Sequence, residues 1–151
     1  MPALAQWGMA PLHVVLITLV VAAVIDVCIE WIPDTFTGVA GVGLVVASFH
    51  AGVTWDEYLN GALSAAVIFL AYLELGVRGI IGGGDVKLSV LPAAVLGAVS
   101  PMLALWWFVT TIALQGLLSL AGRTSRSPAG IPHVPAMALT FVAASSFAVC
   151  F

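Results

Sequence analysis

The sequence PLHVVLITLVVAAVIDVCIEWI, residues Pro11–Ile32, decides the fold, because it is apolar over most of its length and carries Asp26 near its end. About 20 consecutive apolar residues are enough to cross the hydrocarbon layer of a membrane as one helix. A carboxylate inside such a helix is costly and normally faces a polar cavity or a partner. The stretch therefore predicts a membrane-spanning helix, and Asp26 is either a functional group or a structural one bonded to another helix.

The rest of the chain has the same apolar character. Of its 151 residues, 62% are hydrophobic and only 7% are charged, whereas a soluble domain is usually about 25% charged. Hydropathy predicts five further helices, with Pro92 kinking the fourth: Phe36–His50, Tyr58–Leu75, Val86–Val99, Met102–Ala121 and Val134–Phe151. We expect one all-α, polytopic domain over residues 1–151, with about six spans in a lipid bilayer. The formal net charge of -3 is too small to indicate a nucleic-acid partner.

The basic residues predict the orientation of these spans. Arg78 and Lys87 lie between helices three and four, and Arg123 and Arg126 lie between helices five and six. With six spans both loops fall on one side, which the positive-inside rule makes cytoplasmic. We therefore expect a multi-pass protein of the cell inner (plasma) membrane, with both termini outside.

A second polar stretch, RGIIGGGDVKLSV at Arg78–Val90, places three glycines directly before Asp85. An aspartate at the start of a helix is a common N-cap, and capping alone could explain it. Capping does not explain the glycines, whose entropic cost implies unusual dihedrals or a close approach. The phosphate-loop spacing GxxxxGK[ST] is absent, and the histidines show no HExxH spacing. We therefore expect no nucleotide, no metal and no cofactor.

The predicted topology brings Asp26 and Asp85 to the same side of the membrane, because helix one ends there and helix four begins there. Two carboxylates, one ionised and one protonated, can activate water for peptide hydrolysis. The N-terminus of a helix favours the charged form of Asp85, and apolar surroundings favour the neutral form of Asp26. The sequence thus predicts Asp85 as the base and Asp26 as the acid at rest.

Three motifs resemble one known family. GGGDVKL resembles the GxGD signature of intramembrane aspartyl proteases, and its DVKL continuation is similar to the type IV prepilin peptidases. IDVCIEWIPD resembles that family's other catalytic segment, in which an aspartate is followed after six residues by proline and then by Asn or Asp. IPHVPAMALTFVA is similar to the family's final helix. The resemblance covers nearly the whole chain in order.

The resemblance implies a membrane-embedded aspartic endopeptidase with Asp26 and Asp85 as its catalytic pair. Gly82 and Gly84 match the glycines that flank the variable position of GxGD, which is Gly83 here, and Lys87 matches the lysine that follows. The implied reaction removes the leader peptide of type IV pilin-like precursors (prepilins, Flp pilins, preflagellins) at the cytoplasmic membrane face. The implied partners are a precursor with a basic leader and the pilus or type II secretion assembly machinery.

The chain departs from the larger family members, which carry an N-terminal cytoplasmic domain with paired CxxC motifs and also methylate the new N-terminus. Cys28 and Cys150 have no CxxC spacing, so we expect the short, peptidase-only form without a methyltransferase or zinc domain. Asp34 stands where many short members have Asn.

Other acidic residues near Asp26 are candidate contacts for the basic leader. Glu30 lies one turn after Asp26 on the same helical face, and Pro33 and Asp34 follow it. Alternatively, Glu30 is an interfacial carboxylate at a helix end. Two other functions stay open: a small ion-coupled transporter, whose intramembrane aspartates relay protons, and a non-catalytic pilus or secretion subunit.

Overall fold

The computed structural model describes residues 9–29, 31–122 and 132–150, and within these ranges it contains helices and no strand. We number the helices in chain order: α1 Ala10–Ile29, α2 Asp34–His50, α3 Trp55–Val77, α4 Gly83–Leu88, α5 Val90–Val99, α6 Pro101–Gly122 and α7 Val134–Cys150. The predicted all-α fold is confirmed, and α4 and α5 together occupy the position of predicted helix four.

Three of the helices, α1, α3 and α6, are long and apolar enough to cross a membrane. Large apolar side chains such as Ile17, Val24 and Leu63 are exposed on these helices. So much exposed apolar surface is unfavourable in water, but lipid solvates it well. The fold is thus that of a polytopic membrane protein, while the predicted number of six spans stays a prediction because α2, α4, α5 and α7 are shorter.

The first helix ends earlier than predicted, at Ile29 rather than Ile32. Pro33 disfavours helical geometry in the residue before it, and the chain is already non-helical at residues 31–33. Pro33 itself is the extended N-cap of α2, with φ -63° and ψ 138°. Asp26 therefore lies three residues from the end of α1, about 4.5 Å along the axis, and not the roughly 9 Å that the longer helix would give.

The helix predicted around Pro92 is interrupted at Ser89, about one helical turn before the proline. Because Pro92 has no N–H, the Leu88 carbonyl lacks its usual partner in the next turn. Ser89 keeps helical dihedrals, φ -59° and ψ -23°, and its hydroxyl donates to the Val86 carbonyl at 2.8 Å. Predicted helix four is thus interrupted at Ser89, between Asp85 and Pro92, and the kink at Pro92 itself stays a prediction.

Helices α3 and α5 pack with their backbones close together. A Cβ atom on Gly61 would lie 2.7 Å from the Ala94 carbonyl oxygen, and one on Gly97 would lie 2.3 Å from the Ser64 Cβ. Small residues allow this close approach, which is common between membrane helices. The contact fixes the position of α4, which precedes α5 directly, relative to the end of α3.

Candidate active site

Asp85 lies in the first turn of α4 and is buried, with 8% of its surface exposed. The N-cap of α4 is Gly82, with no side-chain cap, so the alternative that Asp85 serves only as an N-cap does not hold. As the third residue of the helix, Asp85 folds back and bonds to the Gly82 backbone. A Cβ on Gly82 would lie 3.3 Å from Asp85 Oδ2, so the missing side chain leaves room for the carboxylate.

The other two glycines of the motif differ in what surrounds them. A Cβ on Gly84 would lie 3.2 Å from the Cβ of Ile32, in the segment between α1 and α2, whereas one on Gly83 would meet nothing within 4 Å. Gly84 therefore allows α4 to pack closely against the chain that follows Asp26. Gly83 makes no such approach.

Asp26 lies at the junction of α1 and α7. It is half-buried, and its Oδ2 accepts a hydrogen bond of 3.1 Å from the backbone N–H of Val134, the first residue of α7. The end of α1 is thereby joined to the start of α7, more than 100 residues later in the chain. This bond shows that Asp26 has a polar partner on another helix.

The two aspartates influence each other electrostatically. Asp85 precedes the apolar α5 and lies outside the three helices that are long enough to span the membrane. Burial, and then the negative charge of Asp26, raise the pKa of Asp85 to about 7, while the hydrogen bond to the Gly82 backbone opposes the rise. The structure thus brings the two carboxylates into one site. A carboxyl group with a pKa of about 7 is about half protonated at pH 7, whereas the sequence predicted a charged Asp85 from the helix N-terminus without its burial. The assignment of base and acid therefore stays a prediction.

Lys87 and Asp34, which we predicted as an active-site loop residue and a substrate contact, bind each other. Lys87 Nζ lies 2.6 Å from Asp34 Oδ1, and the two side chains are 51% and 73% exposed. The ion pair joins α4 to the start of α2. The Pro33 carbonyl accepts hydrogen bonds from the first turn of α2, and Glu30 lies outside the described residues.

Two buried residues of the site were not predicted from the sequence. The hydroxyl of Tyr72, near the end of α3, lies 3.2 Å from Nε2 of His133, which directly precedes α7. Tyr72 also interacts electrostatically with Asp85. The signals available in the sequence were a tyrosine within an apolar helix and a histidine between Pro132 and Pro135, but neither indicates which residues meet.

A groove of about 460 Å³ lies between α1 and α7. Its lining is apolar: Val20, Ala23, Val24, Val27, Cys28, Pro135 and Ala138. Within the described part of the chain, no three His, Cys, Asp or Glu side chains are grouped to hold a metal ion. What the described residues of the site offer is a pair of carboxylates, neither of which lines the groove.

Comparison with known proteins identifies the family of the chain. Residues 13–151 match the model of the type IV leader peptidase family. Neither the curated proteins nor the solved structures gave a match. The family match covers nearly all of the chain and includes the segments that carry Asp26 and Asp85. The family indicated by the three sequence motifs is therefore confirmed: the chain belongs to the type IV leader peptidase family.

Proposed function

We propose that this membrane peptidase is an aspartic endopeptidase, in which Asp26 and Asp85 activate water to cleave the leader from type IV pilin-like precursors. The observation that carries the proposal is the buried Asp85 beside the charge of Asp26, which raises the pKa of Asp85 to about 7. At neutral pH such a pair can hold one proton between two carboxyl groups, as water activation in an aspartic peptidase requires.

In the proposed reaction, Asp26 is the base and Asp85 is the acid at rest. The Asp26 carboxylate takes a proton from water, and the water oxygen attacks the carbonyl carbon of the scissile peptide bond. Asp85 gives its proton to the carbonyl oxygen, which forms a neutral tetrahedral diol. The proton on Asp26 then passes to the amide nitrogen, the C–N bond breaks, and Asp85 regains a proton as the carbonyl re-forms.

The loop residues have supporting roles in this proposal. Gly82 makes room for the Asp85 carboxylate, and Gly84 allows α4 to approach the end of α1. Asp34 is 73% exposed, so a basic residue of the leader can replace Lys87 as its partner. Pro33 directs the chain into α2 and so holds Asp34 at this end of the bundle, and Glu30 is a further candidate contact for the leader.

The proposed location of the site is the cytoplasmic face of the inner membrane. Arg78 directly follows α3, and Lys87 lies in α4 beside Asp85, so both basic residues belong to the end of the bundle that holds the site. The positive-inside rule assigns that end to the cytoplasm. Arg123 and Arg126, which also contribute to the rule, lie outside the described residues. Pilus or secretion assembly machinery is the proposed destination of the cleaved product.

A cleavage assay tests the function. Purified protein in liposomes is incubated with a pilin-like precursor that has a basic leader, and the product is identified by its new N-terminus. Asp26→Asn and Asp85→Asn should each abolish cleavage. Asp56→Asn, which changes an exposed carboxylate at the opposite end of α3, is the matched control and should leave the rate unchanged.

The outcomes separate the proposed function from its alternatives. Substantial activity in either site variant would exclude the carboxylate pair as the catalytic unit. A transporter or a non-catalytic subunit would leave every precursor intact, including in the wild-type reaction.

A further inference from the structure

Tyr72 and His133 form a buried pair that the proposed hydrolysis does not consume. Their side chains are 0% and 5% exposed, the Tyr72 hydroxyl lies 3.2 Å from His133 Nε2, and the rings meet edge to face at 5.7 Å. Burial lowers the pKa of His133 to about 4, so the imidazole is neutral at physiological pH. The pair is therefore a neutral hydrogen bond in the protein interior and not a proton store.

The pair adjoins both catalytic candidates. Val134, the residue after His133, donates its backbone N–H to Asp26. Tyr72 interacts electrostatically with Asp85. A displacement of His133 moves the N–H that holds Asp26, and Tyr72 fixes His133 relative to the helix pair α3 and α5 that carries α4.

The backbone of His133 adds to this connection. Its carbonyl accepts hydrogen bonds from the N–H groups of Ala136 and Met137, at 3.1 and 3.2 Å, so the residue sets the geometry of the first turn of α7. His133 thus accepts hydrogen bonds from the first turn of α7, bonds to α3 through its side chain and directly precedes Val134, whose N–H donates to Asp26.

The second ring nitrogen shows which contact orients His133. Nδ1 of His133 is buried and has no hydrogen-bond partner among the described residues. Among the described residues, the ring of His133 is therefore hydrogen-bonded through Nε2 alone, and the Tyr72 hydroxyl is the contact that orients it.

Resting on the proposed function, we propose that Tyr72 and His133 are positioning residues, whose hydrogen bond sets the start of α7 so that Val134 N–H holds Asp26 against Asp85. The pair touches neither water nor substrate in this role. It acts through the placement of Asp26 and so affects the rate of hydrolysis more than the binding of the precursor.

Substitutions of His133 that replace one ring nitrogen at a time test the proposal. Glutamine places a polar atom near the position of Nε2, whereas asparagine places one near Nδ1. We expect His133→Asn and Tyr72→Phe each to lower kcat about tenfold, the scale of one lost buried hydrogen bond, with KM within about twofold of the wild type. His133→Gln should recover most of the rate, because it can still meet the Tyr72 hydroxyl.

The structure provides a matched control. Thr111 and Thr140 form another buried hydroxyl pair, 2.6 Å apart, that joins α6 to α7 away from Asp26. Thr111→Val removes a comparable interhelical bond and should leave kcat within about twofold, even where it lowers the thermal midpoint as much as Tyr72→Phe does. An equal loss of kcat in Thr111→Val would show that any loosening of α7 slows the enzyme, and it would overturn a specific positioning role.

A readout without catalysis distinguishes failure of this inference from failure of the proposed function. A nitroxide is attached to Cys28, two residues after Asp26, in a Cys150→Ser background, and its mobility is measured by EPR. Tyr72→Phe and His133→Asn should increase the mobility, and His133→Gln should not.

Wild-type mobility and kcat in both Tyr72→Phe and His133→Asn would overturn the proposal. Full activity in His133→Asn with a large loss in His133→Gln would also overturn it, because Nδ1 would then be the important atom. If His133→Asn does not fold, Tyr72→Phe decides. If the wild-type protein cleaves no precursor, the proposed function fails and the EPR result alone decides this inference.

Discussion

Replacing Gly84 with alanine should displace the Asp85 carboxylate from Asp26 without removing either group. The new Cβ would lie 3.2 Å from the Cβ of Ile32, closer than an ordinary contact of 3.4–4 Å. Ile32 is buried, with 4% exposed, so it cannot turn towards solvent, and α4 must shift by a few tenths of an ångström. A misplacement of about 1 Å can cost about 100-fold in rate, so a shift of this size should lower kcat about tenfold.

The effect on stability is smaller and has two opposing parts. Overpacking costs about 1–3 kcal/mol, while alanine is favoured over glycine in a helix by about 1 kcal/mol. The net loss in the free energy of unfolding should lie between zero and about 2 kcal/mol. Gly84→Ala should therefore remain folded and lose most of its activity.

The neighbouring glycine gives the control for this experiment. A Cβ on Gly83 meets nothing within 4 Å, so Gly83→Ala should keep the wild-type kcat and unfold slightly later on heating. Both variants are assayed in liposomes by initial rates of precursor cleavage and by thermal unfolding. Equal rates for the two variants would refute the argument that close packing of Gly84 against Ile32 places Asp85.

Four further predictions follow from the same structure. Asp34→Lys or Lys87→Asp alone should lower the free energy of unfolding by up to about 1 kcal/mol, as expected for an exposed ion pair. The double variant, which reverses both charges, should restore the wild-type value. Additive losses in a double-mutant cycle would contradict the pairing. Because Asp85 has its pKa raised to about 7 and must be protonated to act as the acid, cleavage rates measured from pH 5 to 9 should fall as the pH rises through about 7. The same raised pKa means that the folded state binds this proton more tightly than the unfolded chain, so Asp85 contributes stability below about pH 4 that is lost as the pH rises through about 7. Chemical unfolding at several pH values should show this loss in the free energy of unfolding, and Asp85→Asn should abolish it. The same dependence of the free energy of unfolding on pH in Asp85→Asn and in the wild type would contradict the prediction. Gly97→Ala, whose Cβ would lie 2.3 Å from a serine of α3, should lower the free energy of unfolding by more than about 2 kcal/mol, whereas Gly116→Ala, with nothing within 4 Å, should not.

The helices and the two key aspartates could be predicted from local sequence because local physics determines them. Apolar runs of sufficient length specify membrane helices, and Pro33 disfavours helix in the residue before it. The convergence of Asp26 and Asp85 follows from counting spans, because alternate helix ends lie on one side of a bundle. The burial that raises the pKa of Asp85 could not be predicted, because it depends on neighbours that the local sequence does not specify.

The remaining contacts join residues that are far apart in the chain. The Asp34–Lys87 pair spans 53 positions, and the Tyr72–His133 pair spans 61. Hydropathy and helical periodicity describe which face of a helix is buried, but they contain no information on which helix covers it. For that reason the sequence assigned Lys87 to the active-site loop but did not indicate that its ammonium group binds Asp34 of α2.

The tight backbone packing of α3 against α5 has a consequence for what keeps the two carboxylates together. Asp85 is carried by this closely packed pair through α4, whereas Asp26 is carried by α1 and bonded to the start of α7. The Tyr72–His133 bond, the approach of Gly84 to Ile32 and the Lys87–Asp34 ion pair join these two groups of helices. The alignment of the two acids is therefore a tertiary property of the molecule, which no single helix carries.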